Sequence, residues 1–367
     1  MLIVIPTYKR LNALSLVLRS LCLNSTERIN EKIRVLVVNN YPPFGEAVAQ
    51  IVKPFRSDER FSWEILHRYE TLPPVKNWYS AICDYSSDGE IVMINSDDDL
   101  LLPWTLEYKF NAMNSSLATM SLSMGGPNIW YGERDLIYFQ GVIPQGRTLN
   151  DEYEWLDPKS FLKYQPQHLS NHCYRMGTRF RMALEKAQNW FEVENWLEYN
   201  HRSLYITLYL PLAMFQLSDS VIGLPRLSSL GGREVAEIKN AKYGIPGWNH
   251  GFIHLVGWSV LSNPELQKIG ALDDLRLEYK HEFIKWLPTY LVDERVGWKK
   301  LRNGLISTKF PLMELVDLRV LQGIRFLLKD VFRFTGRKIE KMLAKNGVGA
   351  ELFFQQLEEL KSTHKNN

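Results

Sequence analysis

The sequence predicts an α/β protein with a mostly parallel, Rossmann-like sheet flanked by helices. Short runs rich in β-branched residues, Leu2 to Ile5 and Ile33 to Val38, read as buried strands. Leu11 to Leu23, between them, has apolar residues at helical spacing. A third apolar run, Glu90 to Ile94, leads after two residues into three adjacent carboxylates. Such alternation is typical of βαβ units, in which helices cross between parallel strands.

The other elements predicted before residue 125 continue this alternation. We expect helices over Glu46–Val52 and Val75–Tyr85, a strand over Ser62–His67, and a helix from Pro103 to about Met113 with proline in its first turn. Because parallel strands end at one edge of the sheet, the polar segments after strands one, two and four should line one crevice. These segments are Pro6 to Arg10, Asn39 to Tyr41 and Asp97 to Asp99.

Composition limits the class of protein. The chain has 367 residues, 45% of them hydrophobic and 12% aromatic, which is enough for one large domain with an appendage or for two domains. Three scattered cysteines form neither a disulfide framework nor a zinc knuckle. A net charge of +3 does not argue for nucleic acid.

The sequence shows no pattern typical of a targeting signal. The first apolar run reaches Pro6 too soon for a signal peptide, and no run of about twenty apolar residues follows. With the scattered cysteines, this predicts a cytoplasmic protein whose membrane contact, where present, is peripheral. Nothing in the pattern indicates an oligomeric state.

The acidic triplet Asp97-Asp98-Asp99 is the most informative segment. Three like charges at the end of a buried strand repel one another unless they face water or bind a hard divalent cation through their oxygens. The alternative is a solvated acidic turn before Leu100.

Four blocks of sequence resemble glycosyltransferase family 2. They are Leu2 to Arg10, Val37 to Asn40, Asn77-Trp78 with Ala81 and Gly89, and Asp97 to Asp99 with Leu102-Pro103. The resemblance is strong to about residue 115 and weaker beyond. It implies a GT-A fold, a nucleotide-sugar donor, Mn²⁺ or Mg²⁺, and inversion at the anomeric carbon. It also implies three regions: a nucleotide-sugar-binding half (1–125), an acceptor-binding half (126–260) and a helical C-terminal extension (261–367).

The resemblance also implies site residues. Asp97 and Asp99 would bind the metal, and Asp97 or Asp98 the ribose. The remaining nucleotide-sugar contacts would come from the residues Pro6, Thr7, Tyr8, Arg10, Asn39, Asn40 and Lys76. Thr7 could instead cap the first helix, and Lys76 could be an ordinary solvated lysine. Asn39-Asn40 replaces the usual paired aspartates, so the base stays open, with a UDP-sugar favoured as donor.

The catalytic base is expected downstream, because an inverting transfer needs a carboxylate to take the acceptor proton. Glu194 is the nearest match, Glu198 lies one helical turn later, and Asp219 is a poorer candidate. A solvated helical face is the alternative for both glutamates. His250 and His254 have ligand-like spacing without supporting carboxylates, and Gly231 to Arg233 resembles a Gly-Arg turn that could contact diphosphate.

The C-terminal segment carries a basic stripe formed by Arg325, Lys329, Arg333 and Arg337. It could contact anionic lipid or face water while its helix packs on the protein.

Taken together, the sequence predicts a metal-dependent inverting glycosyltransferase acting on a saccharide or lipid-linked saccharide acceptor in bacterial surface polysaccharide biosynthesis. The alternatives are a noncatalytic nucleotide- or glycan-binding protein with a degenerate site, and a sugar nucleotidylyltransferase, whose Gly-rich first loop is missing here.

Overall fold

The computed structural model describes these residues: 1–125, 128–131, 138–140, 153–164, 169–193, 209–217, 220–234, 254–255, 257–259, 261–262, 271–292, 297–307, 309–315 and 319–324. Within them the predicted α/β class is confirmed: one large sheet carries helices on both faces.

Eleven strands lie in the described ranges and join one sheet. They are β1 (Leu2–Thr7), β2 (Ile33–Asn39), β3 (Phe61–His67), β4 (Ile91–Ile94), β5 (Asp99–Leu101), β6 (Met120–Gly125), β7 (Asn128–Tyr131), β8 (Tyr138–Gln140), β9 (Glu154–Trp155), β10 (His172–Arg175) and β11 (Val221–Glu234). The order is β3-β2-β1-β4-β10-β6-β11-β7-β8, and β5 and β9 pair with β11. The first four strands in this order are mutually parallel, and β10 then runs antiparallel to its neighbours.

The helices connect and cover these strands. We number α1 (Leu11–Cys22), α2 (Gly45–Val52), α3 (Pro74–Tyr85), α4 (Thr105–Ser116), α5 (Pro158–Phe161), α6 (Thr178–Val193), α7 (Ala271–Val292) and α8 (Gly297–Ser307). Residues 209–217 are also helical. The predicted elements of the N-terminal half are therefore present, most with ends shifted by only one or two residues.

Two apolar clusters explain why β1 reads as a continuous apolar run. Leu2 and Val4 belong to one cluster, and Ile3 and Ile5 belong to the other. Since successive side chains of a strand point to opposite faces, both faces of the sheet are covered. Tyr279 and Phe283 of α7 join the first cluster, so this helix packs on the same core.

The segment after β4 differs from the prediction. Pro103 is not in the first turn of α4, because the helix begins at Thr105 with Trp104 as N-cap residue. The Leu102 N–H donates to the Ser228 carbonyl at 3.1 Å, and this contact with β11 keeps the preceding chain extended. Asp99 likewise lies in β5 and not in a loop, with Gly231 of β11 as its antiparallel partner.

None of the helices in the described ranges is both long enough and apolar enough to span a bilayer.

Candidate functional site

The carboxyl ends of β1, β2 and β3 lie side by side. Thr7, Asn39 and His67 occupy one row across the three strands. One residue further on, the Asn40 N–H donates to the Thr7 carbonyl and the Arg68 N–H donates to the Asn39 carbonyl, both at 3.0 Å. This register brings the predicted polar segments to one edge of the sheet, with the acidic segment after β4 adjacent to β1.

Arg10 joins the first loop to the acidic segment. Its Nη1 donates to Asp98 Oδ2 at 2.8 Å and to Asp97 Oδ1 at 3.2 Å. The Tyr8 N–H donates to Asp97 Oδ2 at 3.3 Å. Residues almost 90 positions apart in sequence thus form one cluster of two carboxylates, one guanidinium and one main-chain donor.

Asp97 is the electrostatically unusual member of this cluster. Burial raises the pKa of its carboxyl from 3.8 to about 7, and the neighbouring Asp98 charge adds to that rise. Arg10, the Thr7 hydroxyl and the Tyr8 N–H oppose it without cancelling it. A buried carboxylate whose charge is incompletely compensated is a site where an added cation would be stabilised.

Asp99 faces a different environment. It is buried, and its Oδ2 accepts a hydrogen bond from Ser170 Oγ at 2.6 Å. Ser170 belongs to a 3₁₀ turn (Leu169–Asn171), and its carbonyl accepts a hydrogen bond from the buried Lys109 of α4. Asp99 thus points into the protein, towards groups that the sequence analysis did not single out.

An aromatic cluster lies beside Arg10. The rings of Tyr8 and Tyr41 are 5.6 Å apart in a T-shaped arrangement, and Phe44 contacts Tyr41 at 4.8 Å. The Lys9 ammonium lies 4.4 Å from the Tyr41 ring centroid and 5.1 Å from that of Tyr8. Lys9 adopts a left-handed backbone conformation (φ 62°), and these cation–π contacts offset part of the conformational cost. Tyr8 remains 45% exposed and offers a ring face to a ligand.

The two asparagines are buried, and both side chains make internal hydrogen bonds. Asn40 Nδ2 donates to the Leu72 carbonyl at 2.8 Å, and Asn40 Oδ1 accepts from the Leu72 N–H at 2.9 Å. Asn39 Oδ1 accepts from the Tyr41 N–H at 3.1 Å, and Asn39 Nδ2 lies 3.5 Å from His67 Nδ1. These amides fix the loops after β2 and β3.

The other predicted residues are placed as follows. Pro6 is buried in β1, and Lys76 is exposed in the first turn of α3. The alternative that Thr7 caps α1 is wrong, because Arg10 is the N-cap residue and no side chain caps this end. The turn expected at Gly231 to Arg233 is also wrong. These residues continue β11, whose pairing with β5 and β7 keeps them extended.

Several predicted residues lie outside the described ranges, namely Glu194, Glu198, Asp219, His250 and the stripe from Arg325 to Arg337. The described helix α6 ends at Val193, directly before Glu194. His254 is described, and its ring lies 6.0 Å from that of Tyr279 on α7. Among the described residues no group of three or more His, Cys, Asp or Glu side chains is arranged to hold a metal ion.

Sequence reasoning missed Lys109 and Ser170, although Lys109 carried a signal. It lies three residues after Leu106 and four before Met113, both of which are buried. This spacing places a lysine on the apolar face of α4. Ser170 carried no comparable signal, since one serine in a polar stretch does not reveal a distant partner.

The fold and this edge of carboxylates define an α/β protein whose fold is similar to glycosyltransferase folds. No protein-family model and no curated protein matches the sequence. Among solved structures, S. aureus TarS is similar with a TM-score of 0.50 and 13% identity over 90% of this chain. The match covers 53% of the TarS chain, so this chain spans about half its length.

Two further structures match with lower scores. TarS 1–349 in complex with UDP-GlcNAc has a TM-score of 0.47 and 14% identity, covering 90% of this chain and 81% of that one. The mannosyltransferase PcManGT from Pyrobaculum calidifontis, in complex with GDP-Man and Mn²⁺, has a TM-score of 0.44 and 10% identity, covering 90% and 86%. At these identities the similarity describes the fold alone.

Proposed function

We propose that this chain is a nucleotide-sugar-dependent glycosyltransferase. The observation that carries the proposal is the cluster formed by Tyr8, Arg10, Asp97 and Asp98 at the carboxyl edge of the parallel strands. Ligands of open α/β sheets bind at this edge. The cluster combines an exposed aromatic ring, a guanidinium and carboxylates. These groups suit a nucleobase, a diphosphate and a cation, respectively.

The proposal includes a divalent cation, Mn²⁺ or Mg²⁺, and the residues present fit one. Burial, and then the neighbouring Asp98 charge, raise the pKa of the Asp97 carboxyl, so an added cation would stabilise its charged form. Two carboxylates suffice, because these cations retain water ligands and accept phosphate oxygens. When bound, the cation would neutralise negative charge that develops on the diphosphate leaving group.

The chain's own residues would orient the donor and accept a proton. Tyr8 offers a ring face to the base, and Arg10 can hold the carboxylates or donate to phosphate. In an inverting transfer a downstream carboxylate, Glu194 or Glu198, would take the proton of the acceptor hydroxyl as that oxygen attacks the anomeric carbon. The proposed donor site also includes Asp99, Asn39, Asn40 and Lys76. Asp99 and the two asparagines would contribute by holding the neighbouring segments in place.

We extend the proposal to the acceptor and to the place in the cell where the reaction occurs. The acceptor would be a saccharide or lipid-linked saccharide of bacterial surface polysaccharide assembly, made on the cytoplasmic side with peripheral contact to anionic lipid. A noncatalytic binder with the same site is the second candidate, and the internally bound Asn39 and Asn40 amides favour it. Hydrolysis of a nucleotide sugar separates the two, because a binder consumes none.

The first experiment is a thermal-shift panel of UDP, GDP, CDP and dTDP, each with and without Mn²⁺. We expect one nucleotide, UDP in first place, to stabilise the protein and to require Mn²⁺ for most of its effect. Tyr8→Ala should reduce that shift. Trp155→Ala is the matched control, since Trp155 is an exposed aromatic residue of β9 and pairs with β11 at Ile222, away from the carboxyl ends of β1 and β2. No shift with any nucleotide would contradict the proposed function.

A further inference from the structure

Lys109 is a charged side chain inside the protein. It lies on α4, and its relative exposure is 0%. Desolvation lowers the pKa of its amine to about 8, and the nearby Cys173 and Asp99 oppose that change. Burial also raises the pKa of the Cys173 thiol to about 11, which keeps this thiol neutral near pH 7. Asp99 is therefore the neighbour that supplies negative charge to Lys109.

Ser170 connects the two residues. Lys109 Nζ donates to the Ser170 carbonyl at 2.6 Å, and Ser170 Oγ donates to Asp99 Oδ2 at 2.6 Å. The same Oγ accepts from the Ser96 N–H at 2.9 Å. A single residue of the 3₁₀ turn thereby contacts the buried cation, the buried carboxylate and the main chain of the acidic segment.

The acidic segment is held from its buried side. Asn95 Nδ2 donates to the carbonyls of Ser96 and Asp99, at 2.9 and 3.0 Å. Asp97 and Asp98 instead meet Arg10, whose side chain is 37% exposed. The three aspartates thus divide into Asp99, which points inward, and Asp97 and Asp98, which meet Arg10.

We propose that Lys109 is a positioning residue, an internal cation that acts with Ser170 to anchor Asp99 and to preform the acidic segment before any divalent cation or nucleotide binds. In this arrangement Asp97 and Asp98 are the carboxylates that would bind a ligand, and Asp99 fixes their position. The connection of Lys109 to Asp99 through Ser170 is independent of the proposed function. Its consequence for the donor site rests on that function.

A double-mutant cycle of Lys109→Met and Asp99→Asn, measured by urea unfolding in EDTA without nucleotide, tests whether the two buried charges are coupled through Ser170. Each single variant leaves a buried charge uncompensated and should be strongly destabilised. The double variant should be more stable than the sum of the two losses predicts, with coupling of about tenfold or more in the unfolding equilibrium constant. The matched control is the cycle of Lys109→Met and Asp98→Asn. Because Asp98 pairs with Arg10, the losses of unfolding free energy in this cycle should be additive.

A second measurement separates positioning from general packing. Mn²⁺ alone should raise the melting temperature of Lys109→Met less than that of the unmutated protein, because binding at Asp97 and Asp98 must then also order the acidic segment that Lys109 no longer holds. The proposal would be overturned by any of three results: additive losses of unfolding free energy in Lys109→Met and Asp99→Asn, equal coupling of Lys109 to Asp98 and to Asp99, or equal Mn²⁺-induced melting-temperature shifts in Lys109→Met and the unmutated protein. If Lys109→Met does not fold, a double variant with Asp99→Asn that does fold supports the proposal. If Asp99→Asn folds alone but the double variant does not, the proposal is overturned. A nucleotide panel without any shift would contradict only the proposed function.

Discussion

Arg10 and Asp98 form an ion pair of 2.8 Å that connects the loop after β1 to the acidic segment after β4. The same guanidinium reaches Asp97 at 3.2 Å. Two loops that would otherwise move separately are thus joined by one side chain at the edge where the donor is proposed to bind.

Removing this guanidinium should loosen the site. Arg10→Met removes the side chain that joins the loop after β1 to the acidic segment and that is proposed to donate to phosphate. We therefore expect UDP affinity in the presence of Mn²⁺ to fall roughly tenfold, the scale of a hydrogen bond to a charged group. Isothermal titration calorimetry measures this. Arg19→Met is the control and should bind as the unmutated protein does, because Arg19 lies in the last turn of α1, at the opposite end from Arg10, the N-cap residue. Equal affinity for both variants would argue against a role for Arg10 in the donor site.

The raised pKa of Asp97 predicts how stability changes with pH. Burial raises that pKa from 3.8 to about 7, so the folded state favours the protonated carboxyl. The resulting stabilisation is complete below about pH 4 and is lost as the pH rises through about 7. Relative to Asp97→Asn, the unmutated protein should therefore lose on the order of 2 to 4 kcal/mol of unfolding free energy across this window. Urea unfolding in EDTA at several pH values tests this, and parallel pH profiles would contradict it.

The Asn40 amide should be structural. Asn40→Ala removes both hydrogen bonds to Leu72 and should cost about 2 kcal/mol of unfolding free energy, at about 1 kcal/mol for each bond. Asn40→Asp should be at least as costly, because a carboxylate cannot donate to the Leu72 carbonyl. Asn114→Ala, an exposed change on α4, is the control. Faster hydrogen exchange at the Leu72 N–H in Asn40→Ala would locate the effect, because that variant removes the acceptor of this N–H, and unchanged exchange would refute it.

The proposed catalytic base gives a kinetic prediction. Glu194→Gln should keep UDP affinity and lower the sugar transfer rate by roughly 10² to 10⁴, the usual effect of losing a positioned proton acceptor. Glu198→Gln and Asp219→Asn are the comparison variants. If one of these shows the larger rate loss while Glu194→Gln does not, the base has been assigned to the wrong carboxylate.

The basic stripe near the C-terminus predicts lipid binding. Each basic residue near an anionic surface contributes about 1 kcal/mol, so reversing Arg325, Lys329 and Arg333 to Glu should release the protein from anionic vesicles. Reversing the exposed Lys32, Lys53 and Arg56 provides a charge-matched control. Co-sedimentation is the assay. Binding that does not depend on lipid charge, or no binding, would leave the stripe as a solvated surface.

The sequence by itself determined the elements of the N-terminal half and the edge at which polar segments meet. Strand and helix periodicities are local properties, and parallel strands necessarily end together, so the nearness of Tyr8, Arg10 and Asp97 could be predicted. The first five helix and strand assignments needed only small changes at their ends.

Only the tertiary structure decided what each polar side chain faces. Asp97, Asp98 and Asp99 are adjacent in sequence, yet two meet Arg10 and the third meets Ser170. Asp99 lies in a strand because residues more than a hundred positions later, around Gly231, supply its hydrogen-bonding partner. Hydrogen-bond partners and the compensation of buried charge depend on contacts between distant segments, and local periodicity carries no information about those contacts.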